Sequence, residues 1–402
     1  MVSLQTIRKR WVDVTWADIG HIVLFVCALP CVYFFKKKHP DFWLICDSKK
    51  EARDNGFALF RYVRESHPEQ EVYFAVGKDS LDWAKVAAVG PVVPYGSFKH
   101  WVYYLAAAQN ISSQKGGKPN AAVCYALEVG GLLKNSRVFL QHGVTKDDMP
   151  WLYYNATRFS LFVCAAQPEY EFIKQKFGYP SGAVQLIGFS RFDQLHQDIT
   201  DKHFILVMPT WRNWFYLKSN NADGQVEAVE GSAYLRTWQA FLDDPTLHQI
   251  LEKYDLNLLF YPHRDMQPYV HLFSTCHTRI TIGNQKEYDV QTLLRRAQLL
   301  ITDYSSVFFD MIYMKKPILF YQFDEQEFRS RQYSKGYFDY AANPFSCRHT
   351  SLAGVLKELE QYAANGFKVS ADFLTAHKTY FPLYDTNNCE RTYQVIKRGR
   401  NE

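Results

Sequence analysis

The chain has 402 residues, enough for two ordinary domains, each with its own core. Its 47% hydrophobic and 22% charged residues exclude a disordered chain. A net charge of +5, with dense basic clusters only in the first 40 residues, argues against a nucleic-acid partner and for anionic lipid or a phosphate-bearing substrate.

In chain order the first feature is GHIVLFVCALPCVYFF (20–35), bracketed by Arg8-Lys9-Arg10 and Lys36-Lys37-Lys38. A spanning helix needs about 20 apolar residues; this run is shorter and holds His21 and Pro30. Lysines stand where a secretory signal would need a small-residue cleavage site. The run is expected to lie in a membrane interface, its basic flanks on anionic headgroups. The alternative is a buried helix of the first domain.

From residue 41 short apolar runs alternate with helical patterns. DFWLIC (41–46), EVYFAV (71–76), AAVCYA (121–126), RVFL (137–140), SLFVCAA (160–166) and VQLIG (184–188) read as strands. The stretch 51–65 reads as a helix with Ala52, Phe57, Leu59, Phe60 and Val63 on one face. A second series runs through HFILVMP (203–209), NLLFYP (257–262), RITI (279–282), AQLLIT (297–302) and PILFYQF (317–323). Its helices are expected over 233–253, 289–296 and 304–314. Continuous apolar strands alternating with helices predict α/β domains with parallel sheets covered on both faces. The organisation expected is a membrane-associating segment at 1–40 and two Rossmann-like domains at 41–198 and 199–402. The polar insert 218–230 reads as a mobile loop near the cleft, and the charged helical tail from 387 as a segment able to pack back across the domains. The eight cysteines form no CxxC pair and no metal-type spacing with His, the usage of a reducing compartment.

Ligands of open α/β sheets bind beyond the carboxyl ends of the strands. There RVFL runs into Gln141-His142-Gly143, HFILVMP into Thr210-Trp211-Arg212, NLLFYP into His263-Arg264-Asp265, and AQLLIT into Asp303-Tyr304-Ser305-Ser306. Ser305 and Ser306 precede an apolar helical run, whose free N–H groups and dipole suit a diphosphate. The same pattern suits a plain N-cap. His263 and Arg264 fit phosphate contact or a solvated rim pair; Arg212 fits a charge clamp or a surface ion pair. No Gly-x-Gly-x-x-Gly, Walker loop, His-Glu-x-x-His or Gly-x-Ser-x-Gly occurs, which removes the commonest dehydrogenase, NTPase and hydrolase signatures. An Asp-x-Asp metal pair is also missing, so neutralisation by His, Arg and helix dipoles is expected in place of a metal.

Taken together, WLICDSKKEARDNGFALFRYVRE (43–65), VFLQHGVTKDD (138–148), GFSRFDQL (188–195), MPTWR (208–212), YPHRD (261–265), YDVQTLLRRAQLLITDYSSVFFDMIYMKKPILFYQFD (288–324) and GYFDY (336–340) resemble the CDP-glycerol glycerophosphotransferase family. Its members prime or polymerise teichoic acids and related capsule polymers. The segments keep the family's order over most of 41–340, and the long 288–324 block is the most specific. The resemblance implies a GT-B architecture, with two facing Rossmann-like domains, the donor held mainly by the C-terminal one, and association with a membrane surface. By matching motif, His142 and His263 are the family's two essential histidines, and Asp303, Ser305 and Ser306 its donor-phosphate motif. Thr210, Arg212, Arg264, Asp324, Arg331 and Asp339 are placed beside the donor.

The reaction this implies is attack by a hydroxyl of a polyprenyl-linked saccharide or growing polymer on the β-phosphorus of CDP-glycerol, releasing CMP at the cytoplasmic face of the membrane. No cofactor is expected. His142 is the expected general base, with His263, Arg212 and the Ser305-Ser306 donors neutralising phosphate charge. The alternatives are CDP-ribitol as donor, a nucleotide sugar, or a non-catalytic nucleotide-binding scaffold; a scaffold needs neither histidine. One departure stands out: the family's Thr-Pro after His-Gly is Val144-Thr145 here, at the end of the cleft expected to face the acceptor.

Overall fold

The computed structural model describes residues 15–399 apart from 130, 134, 218–225 and 227, so most of the polar insert lies outside the described residues. The first domain is a seven-stranded parallel sheet in the order β3-β2-β1-β4-β5-β6-β7. Its strands are β1 (Trp43–Cys46), β2 (Val72–Val76), β3 (Val92–Pro94), β4 (Gln109–Ser112), β5 (Arg137–Phe139), β6 (Leu161–Cys164) and β7 (Val184–Leu186). The second is a six-stranded parallel sheet in the order β10-β9-β8-β11-β12-β13. It comprises β8 (Phe204–Met208), β9 (Asn257–Phe260), β10 (Ile280–Ile282), β11 (Leu299–Thr302), β12 (Ile318–Tyr321) and β13 (Arg348–His349). Each sheet reverses strand order once, between β1 and β4 and between β8 and β11, and a crevice opens at each reversal.

The two-residue alternation of β1 shows how one strand serves two cores. Trp43 and Ile45 join the core beneath helix α2 (Asn55–Ser66), while Leu44 and Cys46 join a separate core on the other face. Helices α1 (Trp16–Lys38) and α3 (Phe98–Ala106) cover that second core. The Asp47 carboxylate, just past β1, accepts the N–H groups of Asp54, Gly56 and Phe57 at 3.0, 2.8 and 3.1 Å, fixing the start of α2. A Cβ at position 56 would collide with that carboxylate, so the turn requires glycine.

Several sequence expectations change. AAVCYA is no strand but the first two turns of a helix, Ala121–Val129, whose Val123 amide is capped by the Asn120 side chain at 2.8 Å. A short apolar run carries no period that separates the two states. The strand missed in its place is β4, whose Gln109, Asn110 and Ser112 look like loop but are buried. Asn110 donates to Tyr104 O at 3.1 Å and Gln109 accepts from Ser136 at 2.6 Å. β3 and β13 were also unforeseen. The expected helix 233–253 is two helices, Ala233–Asp243 and Pro245–Lys253, broken where Asp244 caps the second.

α1 is longer than the sequence reading allowed. A capping box of Thr15 and Asp18 starts it one turn before Gly20, and it continues through Pro30 for 23 residues. At 1.5 Å per residue this is about 34 Å, long and apolar enough to cross a membrane by length and composition, contrary to the expectation of too short a run. It is no core helix, for only 6% of its most apolar window is buried. Ala28 is buried and Phe25 meets Trp101 edge-on; His21 accepts from Trp101 Nε1 at 3.1 Å near one end, and His39, just past the other, pairs with Glu71 at 2.8 Å. The helix therefore lies along the first domain, leaving Ile22, Val26, Leu29, Tyr33 and Phe34 exposed.

Beyond the second sheet's α4 (Phe308–Tyr313), the chain returns to the first domain through α5 (Asn388–Arg398). Glu390 accepts from Tyr62 at 2.7 Å and pairs with His67 at 2.8 Å, and Tyr393 stacks on His67 with ring centroids 3.7 Å apart.

Candidate active site

The two sheets present the carboxyl ends of their strands to a shared cleft of about 440 Å³. Asp47 after β1, Gln114 after β4, His142 after β5, Thr210 and Trp211 after β8, His263 after β9, and Ser305 and Ser306 after β11 all line it. The volume is that of a small-molecule site. The domains meet closely here: a Cβ on Gly143 would stand 2.8 Å from Ser306 Oγ and push that hydroxyl aside.

His142 sits on a loop whose shape is fixed from beneath. Gln141 has φ +64°, and its side-chain amide donates to Thr145 Oγ1 at 2.7 Å and Glu169 at 3.0 Å. Glu169, fully buried, also accepts the Thr145 and Ala165 amides at 2.6 and 2.9 Å. Burial pushes its carboxyl up to about 8 against the pull of those donors. His142 is an exposed residue that lines the cleft, with the walls of both domains around it. Loss of water first, then the positive charges of Arg191, His263 and Arg264, lower its pKa to about 4, so the imidazole is neutral.

His263 enters from the other domain. Its Nδ1 accepts the Asp265 amide at 3.2 Å, and its ring lies nearly parallel to Trp211 with centroids 6.3 Å apart. Desolvation first, and Arg264 beside it, also bring its pKa down to about 4, with Asp265 opposing. Arg264 reaches across to Glu51 of the first domain at 3.5 Å. Thr210 lines the cleft, and its hydroxyl is buried without a hydrogen-bond partner. The helix after Ser305 and Ser306 has no side-chain cap, so neither hydroxyl is spent as an N-cap. α4 is only six residues long, and its dipole is correspondingly small.

Other expected donor residues stand elsewhere. Arg212 and Asp303 are wholly buried beneath the cleft. Arg212 is held by Asp303 at 2.8 Å and Asp324 at 2.8 Å, and donates to Thr210 O at 2.8 Å. Asp303 also accepts the Thr210 and Tyr304 amides at 2.8 and 2.7 Å. These three residues shape the loops that carry Thr210 and Ser305 without reaching the cleft; apolar strands on each side leave buried charges no partners but one another. Asp339 is exposed and bound to Lys335 at 2.9 Å, and Arg331 to Glu327 at 3.0 Å, both outside the cleft.

The residue that sequence reasoning passed over is Arg191, in the loop joining the domains. It donates to His142 O at 3.3 Å, pairs with Asp54 at 3.2 Å, and forks onto both oxygens of Asp310 in α4. It lies within GFSRFDQL, shortly after the edge strand β7, whose own residues do not line the cleft. Among the described residues no group of three or more His, Cys, Asp or Glu is arranged to hold a metal.

Two doubly wound sheets facing one another across a cleft at their switch points define a GT-B-like α/β protein. The chain belongs to the CDP-Glycerol:Poly(glycerophosphate) glycerophosphotransferase family, whose model matches residues 29–398. It is 29% identical over 360 residues to the minor teichoic acid biosynthesis protein GgaB of Bacillus subtilis, an alignment covering 88% of this chain and 39% of that protein. It is 23% identical over 380 residues to the teichoic acid poly(glycerol phosphate) polymerase of the same species, covering 86% and 47%. The chain thus spans less than half the length of either relative. A solved structure of the wall teichoic acid polymerase TagF superposes with a TM-score of 0.66 at 14% identity, over 96% of this chain and 98% of that one. The UDP-GlcNAc 2-epimerase of Neisseria meningitidis bound to UDP-GlcNAc gives 0.53 at 10% identity, over 89% and 100%, and shares the fold alone.

Proposed function

We propose that the protein transfers glycerol phosphate from CDP-glycerol to a hydroxyl of a lipid-linked saccharide or growing polymer in teichoic acid synthesis. The acceptor oxygen bonds to the β-phosphorus, the bond from that phosphorus to the bridging oxygen breaks, CMP leaves with the bond's electrons, and the acceptor proton passes to the protein. The observation that carries this reading is the meeting of two histidines, one from each domain, with Ser305 and Ser306 in one cleft. The neutral His142 imidazole, which lines the cleft, has one ring nitrogen free of a proton and able to accept. A neutral imidazole whose Nδ1 accepts the Asp265 amide keeps its proton on Nε2. His142 is thus set to take the acceptor proton, and His263 to donate to a phosphate oxygen. Thr210 Oγ1, Ser305, Ser306 and Arg264 supply further donors to the diphosphate. Entry of an anionic donor raises the pKa of His142 from its low resting value toward the working range of a base.

α1 supports a monotopic placement at the cytoplasmic face. It is bound to the domain near both ends, its outer apolar side faces lipid, and Lys36, Lys37 and Lys38 sit at its end beside anionic headgroups. Replacing Ile22, Val26 and Tyr33 with Ser should abolish vesicle binding while the fold persists; retention on vesicles would show that this face is not the lipid contact.

The reaction is tested by giving the purified protein CDP-glycerol, CDP-ribitol and UDP-sugars, with a lipid-linked saccharide, and following nucleotide release. CMP from CDP-glycerol, dependent on acceptor, is expected; turnover of a UDP-sugar alone would sink the reading. His142→Ala should lower turnover by at least about 10²-fold with the fold intact.

A further inference from the structure

A second chamber of about 470 Å³ adjoins the cleft and shares Arg53, Asp54, Arg191, Tyr288, Asp289 and Gln291 with it. It lies between α2 and the 286–295 segment of the second domain. Six cations line it against four carboxylates: Arg53, Arg61, Lys85, Arg191, Lys286 and Arg295. Three of the carboxylates are already engaged. Asp82 holds Arg53 at 2.9 Å and the Ala52 amide at 2.9 Å, Asp289 caps its helix through Thr292 at 2.9 Å, and Asp54 holds Arg191 at 3.2 Å. Arg61, Lys286 and Arg295 have no carboxylate within ion-pair distance among the described residues; Arg295 donates only to Gln194 O and Gln197 Oε1. Concave walls lined by an excess of cations attract multivalent anions. A second observation points the same way. Gln291 lines both chamber and cleft, its Nε2 is directed at Asp310 at 3.4 Å, and its Oε1 is buried with no donor. An unfilled acceptor beside unfilled cations fits a ligand that alternates hydroxyl and phosphate groups.

We propose that this chamber is an acceptor subsite for phosphodiester units behind the terminal hydroxyl, so that the preferred acceptor already carries glycerol phosphate. The proposal rests on the transfer reaction above and specifies its acceptor. A neutral saccharide primer leaves the chamber unfilled, whereas an elongating chain fills it while its end lies near His142.

The test is calorimetric titration of the full chain with a short synthetic oligo(glycerol phosphate) and, separately, with CMP, for the wild type and for Arg61→Gln/Lys286→Gln. Both changes are on the chamber wall and outside the catalytic cleft. Affinity for the oligomer should fall about tenfold or more, as expected for lost charge-assisted contacts, while CMP binding and melting temperature stay put. Unchanged oligomer affinity, no oligomer binding by the wild type, or an equal loss for CMP would each overturn the proposal. Failure of the wild type to turn over CDP-glycerol would sink the reaction but leave this titration readable, and an active enzyme with a flat titration would sink the chamber alone.

Discussion

Two arginines in this molecule each hold two carboxylates, and their different settings separate scaffold from site. Arg212 binds Asp303 and Asp324, all three in the second domain, with Arg212 and Asp303 wholly buried and all three outside the cleft. Arg191 binds Asp54 of the first domain and Asp310 of the second, and touches the backbone of His142. The first cluster holds loops within one rigid body. The second joins two bodies across the reaction cleft, so any movement of the domains must stretch or break it. Chemically similar clusters thus have different jobs, set by whether the carboxylates share a sheet.

The largest effect should come from the scaffold. Arg212→Ala leaves two buried carboxylates without their cation and should cost about 3–5 kcal/mol of stability, read from urea unfolding. A loss below about 1 kcal/mol would mean that water reaches the cluster and that the contrast is false. Arg191→Ala should cost less, about 1–3 kcal/mol, because Asp54, one of its two carboxylates, keeps 20% of its side-chain surface exposed. Its turnover should nonetheless fall further than that of a variant of equal stability altered elsewhere. Equal turnover in those two variants would place Arg191 with the scaffold.

A milder change sharpens the contrast between buried Asp303 and the open serines beside it. Ser305→Ala with Ser306→Ala should weaken CDP-glycerol binding about tenfold, on the scale of lost hydrogen bonds to a charged group, with little change in melting temperature. Loss of stability with donor affinity intact would return the pair to a capping role. The smallest expected signal is in pH. His142 has a folded pKa of about 4, below the usual 6.5, so the unfolded chain takes up its proton first as pH falls. Its contribution to stability is therefore present above about 6.5 and declines as pH falls toward 4. The acid limb of kcat/KM, which reports the free enzyme, should likewise lie near 4; a limb at 6.5 would contradict the lowering of its pKa within the cleft.

The sheets were legible in the sequence wherever strands are apolar throughout, as in FILVM of β8 and LLIT of β11. β4 was not, because its Gln and Asn are made strand-like by partners remote in sequence such as Ser136. Strand ends announced His142, His263, Thr210 and Ser305, since the rule relating ligands to carboxyl ends needs only strand positions. It could not tell Arg212, which turns inward, from Arg264, which stays out, because both follow a strand by a few residues. Arg191 follows no strand that forms part of the cleft, and its role depends on Asp310 more than a hundred positions later.

The return of α5 to the first domain bears on how the protein is made. Trp43, Tyr62 and His67 are translated more than three hundred residues before the helix that covers them. At about 5–20 residues per second, a nascent first domain waits on the order of tens of seconds with that patch bare on the ribosome. It is then a segment made long after the first sheet that closes the first domain, and a chain stalled before α5 would present this patch of aromatic rings to chaperones and proteases.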